Sequence, residues 1–130
     1  MAKRFTSTEI WDEDWFLDLP IEYRLFWLYI LASCDQAGFY KINVTVFSSS
    51  NKVEIDTEMA FQLFNKGKNR LRKVNGSMWL IEDFFKFQYG FKFNIENKIH
   101  MGIEKIYNGH GVSIQSLKGI ERVSKVSDKT

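Results

Sequence analysis

Arg70-Leu71-Arg72-Lys73-Val74-Asn75-Gly76-Ser77-Met78-Trp79-Leu80-Ile81 is the stretch whose reading decides the fold. Asn-Gly readily takes the positive φ angles of a type I′ turn, so the runs on either side of it read as the two strands of a β-hairpin. Upstream, Asp56 or Thr57 can cap a helix carrying Met59, Ala60, Leu63 and Phe64, which Gly67 stops. Before it, Asn43 can cap a short helix with Val44, Val46 and Phe47, ended by the run Ser48-Ser49-Ser50-Asn51-Lys52. Phe39-Tyr40-Lys41-Ile42 has the length and composition of a short strand, set off by Gly38, which is free to take a positive φ.

Further upstream, Pro20 sits at the first-turn position that favours proline, with Asp18 as a candidate cap, and a helix is expected over 20–33. Its stripe Ile21, Leu25, Leu28, Tyr29 and Ala32 has helical spacing, but Phe26, Trp27, Ile30 and Leu31 make most of the circumference apolar. Such a helix is central, or it also feeds an oligomer interface. Residues 1–19 read as an aromatic arm, with Trp11, Trp15, Phe16, Leu17 and Leu19 packing on the core around Asp12-Glu13-Asp14.

Downstream of the hairpin, Phe85, Phe87, Tyr89, Phe91 and Phe93 alternate with Lys86, Gln88, Gly90 and Lys92, the pattern of a half-buried strand. The same pattern offers stacking faces beside cations to single-stranded nucleic acid, with Lys86 and Lys92 as secondary contacts. Ile95, Ile99, Ile103 and Ile106 share one face of a final helix, with Glu96, His100 and Glu104 off it. Beyond it, Ile114, Leu117, Ile120, Val123 and Val126 recur every third residue, a step that polyproline II keeps on one side. The expected organisation is an arm (1–19), a core domain (20–94), a C-terminal helix (95–108) and a flexible tail (109–130) that orders on a partner.

The 130 residues suit one domain plus tails, and 45% hydrophobic with 16% aromatic residues excludes disorder throughout. The longest apolar run, Leu25 to Ala32, is far below the ~20 residues a membrane helix needs. The opening Met1-Ala2-Lys3-Arg4 turns acidic without a small-residue cleavage site, so a cytoplasmic protein is expected. One cysteine, Cys34, and two histidines, His100 and His110, provide neither a disulfide nor a zinc set, and no metal or other cofactor is expected. Asp12-Glu13-Asp14 has no evident distant partner for a divalent cation. No nucleophile pairing and no glycine-rich phosphate loop occurs, so a non-enzymatic protein is expected.

Helix, strand, helix, helix, strand, Asn-Gly turn, strand is the order of an α+β winged helix-turn-helix domain, with the hairpin as the wing; an unrelated α+β domain of the same content is the alternative. Ile10-Trp11-Asp12 with Trp15-Phe16 and Leu19, Leu25-Phe26-Trp27-Leu28-Tyr29 with Cys34-Asp35-Gln36-Ala37-Gly38, and Trp79-Leu80-Ile81 leading to Asp83-Phe84-Phe85-Lys86-Phe87-Gln88-Tyr89-Gly90 are the segments that carry a family likeness. Over about residues 5–108 the chain resembles the N-terminal winged-helix domain of phage and prophage replication proteins, replisome organisers related in role to DnaD-type primosome proteins. That resemblance implies recognition of origin DNA, self-association, and recruitment of a replicative helicase or helicase loader through a C-terminal region. Longer members of that family continue past the position of Thr130 through a polar linker to a further domain.

Charge is divided along the chain: residues 1–65 hold five Lys/Arg against ten Asp/Glu, a net of −5, and residues 66–130 hold thirteen against six, a net of +7. Such asymmetry hints at a polyanion partner, or at two halves that attract each other. Lys66, Lys68, Asn69, Arg70, Arg72 and Lys73 concentrate five cations in eight residues at the hairpin's start. Strand alternation would bury Leu71 while Arg70 and Arg72 point at phosphates, of duplex or single-stranded DNA; the alternative is an edge strand kept soluble by its cations. Lys52, Ser50 and Gln62 are further candidate contacts, whereas Glu54, Asp56 and Glu58 would repel phosphate at the start of the reading helix. A transcriptional regulator of the same fold, or a protein-interaction and oligomerisation module without DNA binding, fits the same residues.

Overall fold

The structure, a computed structural model, describes residues 4–123. Its elements run in the order α1 (Asp14–Leu17), α2 (Ile21–Ser33), β1 (Phe39–Lys41), α3 (Thr45–Asn51), α4 (Thr57–Phe64), β2 (Leu71–Val74), β3 (Met78–Ile81), α5 (Phe84–Tyr89), β4 (Lys92–Asn94), α6 (Lys98–Gly109) and β5 (Glu121–Val123). The class is α+β. The hairpin forms as expected, with Asn75 at φ 47° and Gly76 at φ 80°. Because Val74 pairs with Met78, the connection has three residues, 75–77. Strand β3 is central, with β1 and β2 antiparallel on either side of it.

Alternation then gives this sheet two buried faces. Tyr40, Leu71, Trp79 and Ile81 project into one core with Phe26, Phe47 and Phe64, so α2, α3 and α4 cover that side. Phe39, Val74 and Leu80 project the other way, onto Phe85, Phe93, Ile103, Tyr107, Ile114 and Leu117. On the central strand Trp79, Leu80 and Ile81 are thus buried whichever way they point, which is why β3 reads as a nearly continuous apolar run. The two layers meet at Gly38, where φ is +95° and a Cβ would lie 2.7 Å from the Cβ of Phe84. The Asp35 carboxylate shapes that bend by accepting the N–H groups of Ala37 and Phe39 at 2.9 and 3.0 Å.

Caps follow the sequence in part. Asp56 accepts the N–H groups of Glu58 and Met59 to start α4, and Asn43 accepts that of Thr45 at 3.1 Å. Helix α3 runs through the serines and stops at Lys52, whose φ of 55° turns the chain. Asp18 does not cap α2; it closes α1, and Pro20 stands just before α2.

Four expectations are corrected. First, the inward stripe of α2 is Tyr23, Phe26, Trp27 and Ile30; of the stripe read from the sequence, Ile21 (69%), Leu25 (42%) and Ala32 are exposed, while Leu28 and Tyr29 are half-buried against the first core. Second, residues 84–89 are a helix rather than a strand, and it spans both layers: Phe84 enters the first core, Phe85 the second, and Phe87 is exposed. Third, α6 turns His100, Ile103 and Tyr107 toward the second core, while Ile99 is exposed and Ile95 precedes the helix. Fourth, the expected flexible tail is packed through residue 123. Val112, Ile114 and Leu117 are buried, a 3-10 turn at Ile114–Ser116 holds that three-residue step on one side, and β5 pairs in parallel with β4. Val126 lies outside the described residues.

The arm is tied down by polar contacts. The Arg4 guanidinium donates to the carbonyls of Leu31 and Ala32 at 3.0 Å each and to that of Cys34, placing a cation at the negative end of α2. The Gln88 amide accepts the Phe5 N–H at 3.0 Å and donates to the Phe5 carbonyl at 2.9 Å. Burial pushes the Cys34 thiol up to about 11, which keeps it protonated and unreactive at neutral pH.

Candidate nucleic-acid interface

Four of the five cations expected at the hairpin's start have partners within the protein. Asn65, just past α4, accepts the N–H groups of Arg70 and Leu71 at 2.7 and 2.8 Å and so sets the entry into β2. This turns the Arg70 side chain inward, where its guanidinium lies 3.9 Å from the centroid of the Trp15 ring and donates to the carbonyls of Phe64 and Lys66. Burial pulls the Arg70 pKa below its ordinary value, with Glu13 and Asp83 opposing the shift.

Arg72 makes a two-pronged pair with Glu82, at 2.8 and 2.9 Å, and donates to the Ser116 hydroxyl at 3.0 Å. Its bonds to Glu82 raise its pKa despite partial burial. Lys68 pairs with Asp83 at 2.8 Å. Lys73 pairs with Glu58 at 3.3 Å and lies 4.8 Å from the Phe61 ring centroid. Arg70 and Arg72, expected to point at phosphates, are thus half-buried and bonded within the fold. The alternation that separates Arg72 from Leu71 is real, but the face Arg72 points to is covered by residues 112–117.

Seven of the nine expected residues are exposed: Lys68 and Lys73 within their ion pairs, and Ser50 and Lys52 at the end of α3, Gln62 on α4, Lys66 just past it and Asn69 before β2. Gln62 lies in the last turn of α4 and Lys66 two residues past its end, and Met59, 50% exposed, precedes Gln62 on the same side of the helix. Of the three acids expected to repel phosphate there, Glu58 is the partner of Lys73, and Glu54 is exposed with no ion pair among the described residues. Asp56 is occupied as the cap of α4.

The secondary candidates are not beside these residues. Lys92 is exposed on β4, 5.9 Å from the Phe91 ring centroid, and β4 packs Phe93 into the second core, across the sheet from α4. Lys86 is exposed on α5. The aromatic ladder does not form: Phe85 and Phe93 are buried, and of the five rings Phe87 and Phe91 are the exposed ones.

A site that the sequence reading missed is a groove of about 730 Å³ between the arm, α2 and α5. Its signal in the sequence was the surplus of aromatics in residues 5–28, more than one helix face can bury. Among the described residues no group of three His, Cys, Asp or Glu side chains could hold a metal ion, and no helix is long and apolar enough to cross a membrane. Neither a protein-family model, nor a curated protein, nor a solved structure matches the chain.

Proposed function

We propose that the chain is a non-enzymatic DNA-binding module of winged helix-turn-helix architecture, and that it meets duplex DNA with the outward side of α4 rather than with the hairpin cations. The order α2, β1, α3, α4, β2, β3, with β3 central in the sheet, supports that architecture. In it, α4 is the second helix of the pair, the one that enters a major groove. The observation that carries the reading is the exposed side of α4 and its end: Gln62 on the helix and Lys66 just past it are exposed, Lys52 and Ser50 are exposed at the end of α3, and Glu58 is paired with Lys73. The sequence resemblance to phage replication proteins supports a role for such a module in replication initiation.

With Lys52 and Lys66 as the uncommitted cations on this side, binding is weakly salt-dependent, with a log-log slope of about −2 for two phosphates. Fluorescence anisotropy of labelled duplex and single-stranded DNA at two salt concentrations tests the proposal against Gln62→Ala/Lys66→Ala. Duplex binding lost in the double variant is the expected result. No binding by the wild type at low salt, or equal binding by the variant, would overturn it.

A further inference from the structure

We infer that the turn between α5 and β4, with residues 118–121 packed on it, binds a single-stranded nucleic acid: Phe91 stacks on a base, and Lys86, Lys92 and Lys118 meet phosphates. The site is separate from α4 and independent of the duplex-binding reading.

Phe91 is 56% exposed, yet its backbone is fixed. Gly90 turns the chain before it at φ 92°, and the Phe91 carbonyl accepts the Glu121 N–H at 2.6 Å. The next residue enters β4, whose Phe93 is buried in the second core. A ring presented on an anchored backbone loses little further freedom when a flat partner covers it.

Three cations belong to the same surface. The Lys92 ammonium lies 5.9 Å from the Phe91 ring centroid. Lys86 of α5 extends along Gly119, where a Cβ would lie 3.4 Å from its Nζ, and Glu121, the residue bonded to Phe91, is two positions further on. Lys118 is exposed beside Gly119. Glu121 stands opposite Lys92 in the register of β4 and β5, which leaves an excess of two cations. The other acids of the neighbouring chain are bound: Glu82 to Arg72, Asp83 to Lys68 and Glu104 to Arg122. Among the described residues no ion pair involves Lys86, Lys92 or Lys118. The wider surface has the same sign. Residues 84–123 hold six Lys/Arg against three Asp/Glu, a net of +3, whereas residues 4–83 hold nine against twelve, a net of −3.

Ring and cations together select the ligand. A duplex offers phosphates but keeps the faces of its bases within the stack. A single strand offers a phosphate and an open base face at every nucleotide, and both are matched here. An acidic peptide meets the cations alone.

The probe is a labelled oligothymidylate about ten nucleotides long, compared with oligouridylate and duplex of the same length and with an oligoglutamate peptide. Anisotropy is read at two salt concentrations with the wild type, Phe91→Ala, Lys86→Ala/Lys118→Ala and Gln62→Ala/Lys66→Ala, and thermal melts report that each variant folds. The wild type is expected to bind a single strand more tightly than the peptide, with a log-log salt slope of about −2 for three phosphates. Phe91→Ala should weaken this at least about fivefold, and the lysine variant should bring the slope to about −0.7. Gln62→Ala/Lys66→Ala should leave single-strand binding unchanged and Phe91→Ala should leave duplex binding unchanged, so the two readings fail separately. A preference for thymidylate or uridylate assigns the sugar and supports the inference in either case. No single-strand binding by the wild type at low salt, or full binding by Phe91→Ala or by the lysine variant, would overturn it. So would a peptide bound as tightly as the strand, because the occupant would then be a protein.

Discussion

The guanidinium of Arg70 stacks on the Trp15 ring at 3.9 Å and joins the entry of the hairpin to the N-terminal arm. Its two bonds to carbonyls at the end of α4 complete the site, so three elements converge on one side chain. Arg70→Ala removes the stacking and leaves those carbonyls without their donor, and a loss of about 1–3 kcal/mol is expected. Urea denaturation followed by tryptophan fluorescence measures it. DNA binding per folded molecule should not change, which separates a structural arginine from a phosphate contact.

Gly38 is the position least tolerant of a side chain. A Cβ there meets Phe84 at 2.7 Å, and the φ of +95° is one that L residues rarely adopt. Gly38→Ala is expected to destabilise by about 2–4 kcal/mol from overpacking and backbone strain together. In a Phe84→Ala background the alanine should cost less, because the clash is relieved and the backbone strain remains. Chemical denaturation of the four proteins of that cycle gives the coupling.

His100 makes stability depend on pH. Its Nδ1 accepts the Asn94 N–H at 2.9 Å, and its ring packs against Phe85 and Phe93, so the native site needs the neutral ring. Burial lowers its pKa below the ordinary value of 6.5. As pH falls through 6.5 the unfolded chain takes up the proton first, so this stabilising contribution is present above that pH and is lost below it. Urea midpoints at pH 7.5 and pH 5 should fall further for the wild type than for His100→Gln.

Removing residues 112–130 should cost the fold. Val112, Ile114 and Leu117 are buried, and each is worth about 1.5–3 kcal/mol, so the sum approaches the 5–15 kcal/mol of a whole domain. Loss of the near-ultraviolet circular dichroism of the aromatic core is the expected readout. The milder Arg72→Ala cuts the link between β2 and Ser116 and should raise hydrogen exchange across 112–117 with the remainder still protected.

What the sequence made legible was local chemistry. The Asn75-Gly76 turn, the Asp56 cap and the positive φ of Gly38 each follow from one or two side chains, and each is found. The inward side of α2 was not legible, because a helix apolar all round carries no periodicity to show which side meets the core. Phe84 and Phe85 enter different cores from adjacent positions, which a single alternating face cannot describe. The surroundings of the hairpin cations were not legible for a related reason: strand alternation says that Arg72 and Leu71 diverge, but Ser116, which Arg72 meets, is more than forty positions away.

Gln88 grips Phe5 through its peptide group alone, taking its N–H and giving to its carbonyl. The ring of Phe5 takes no part in that grip and is 69% exposed. Position 5 is therefore open to drift in its side chain but closed to proline, which has no N–H to offer. Identity is constrained at residue 88, and at residue 5 only the backbone is.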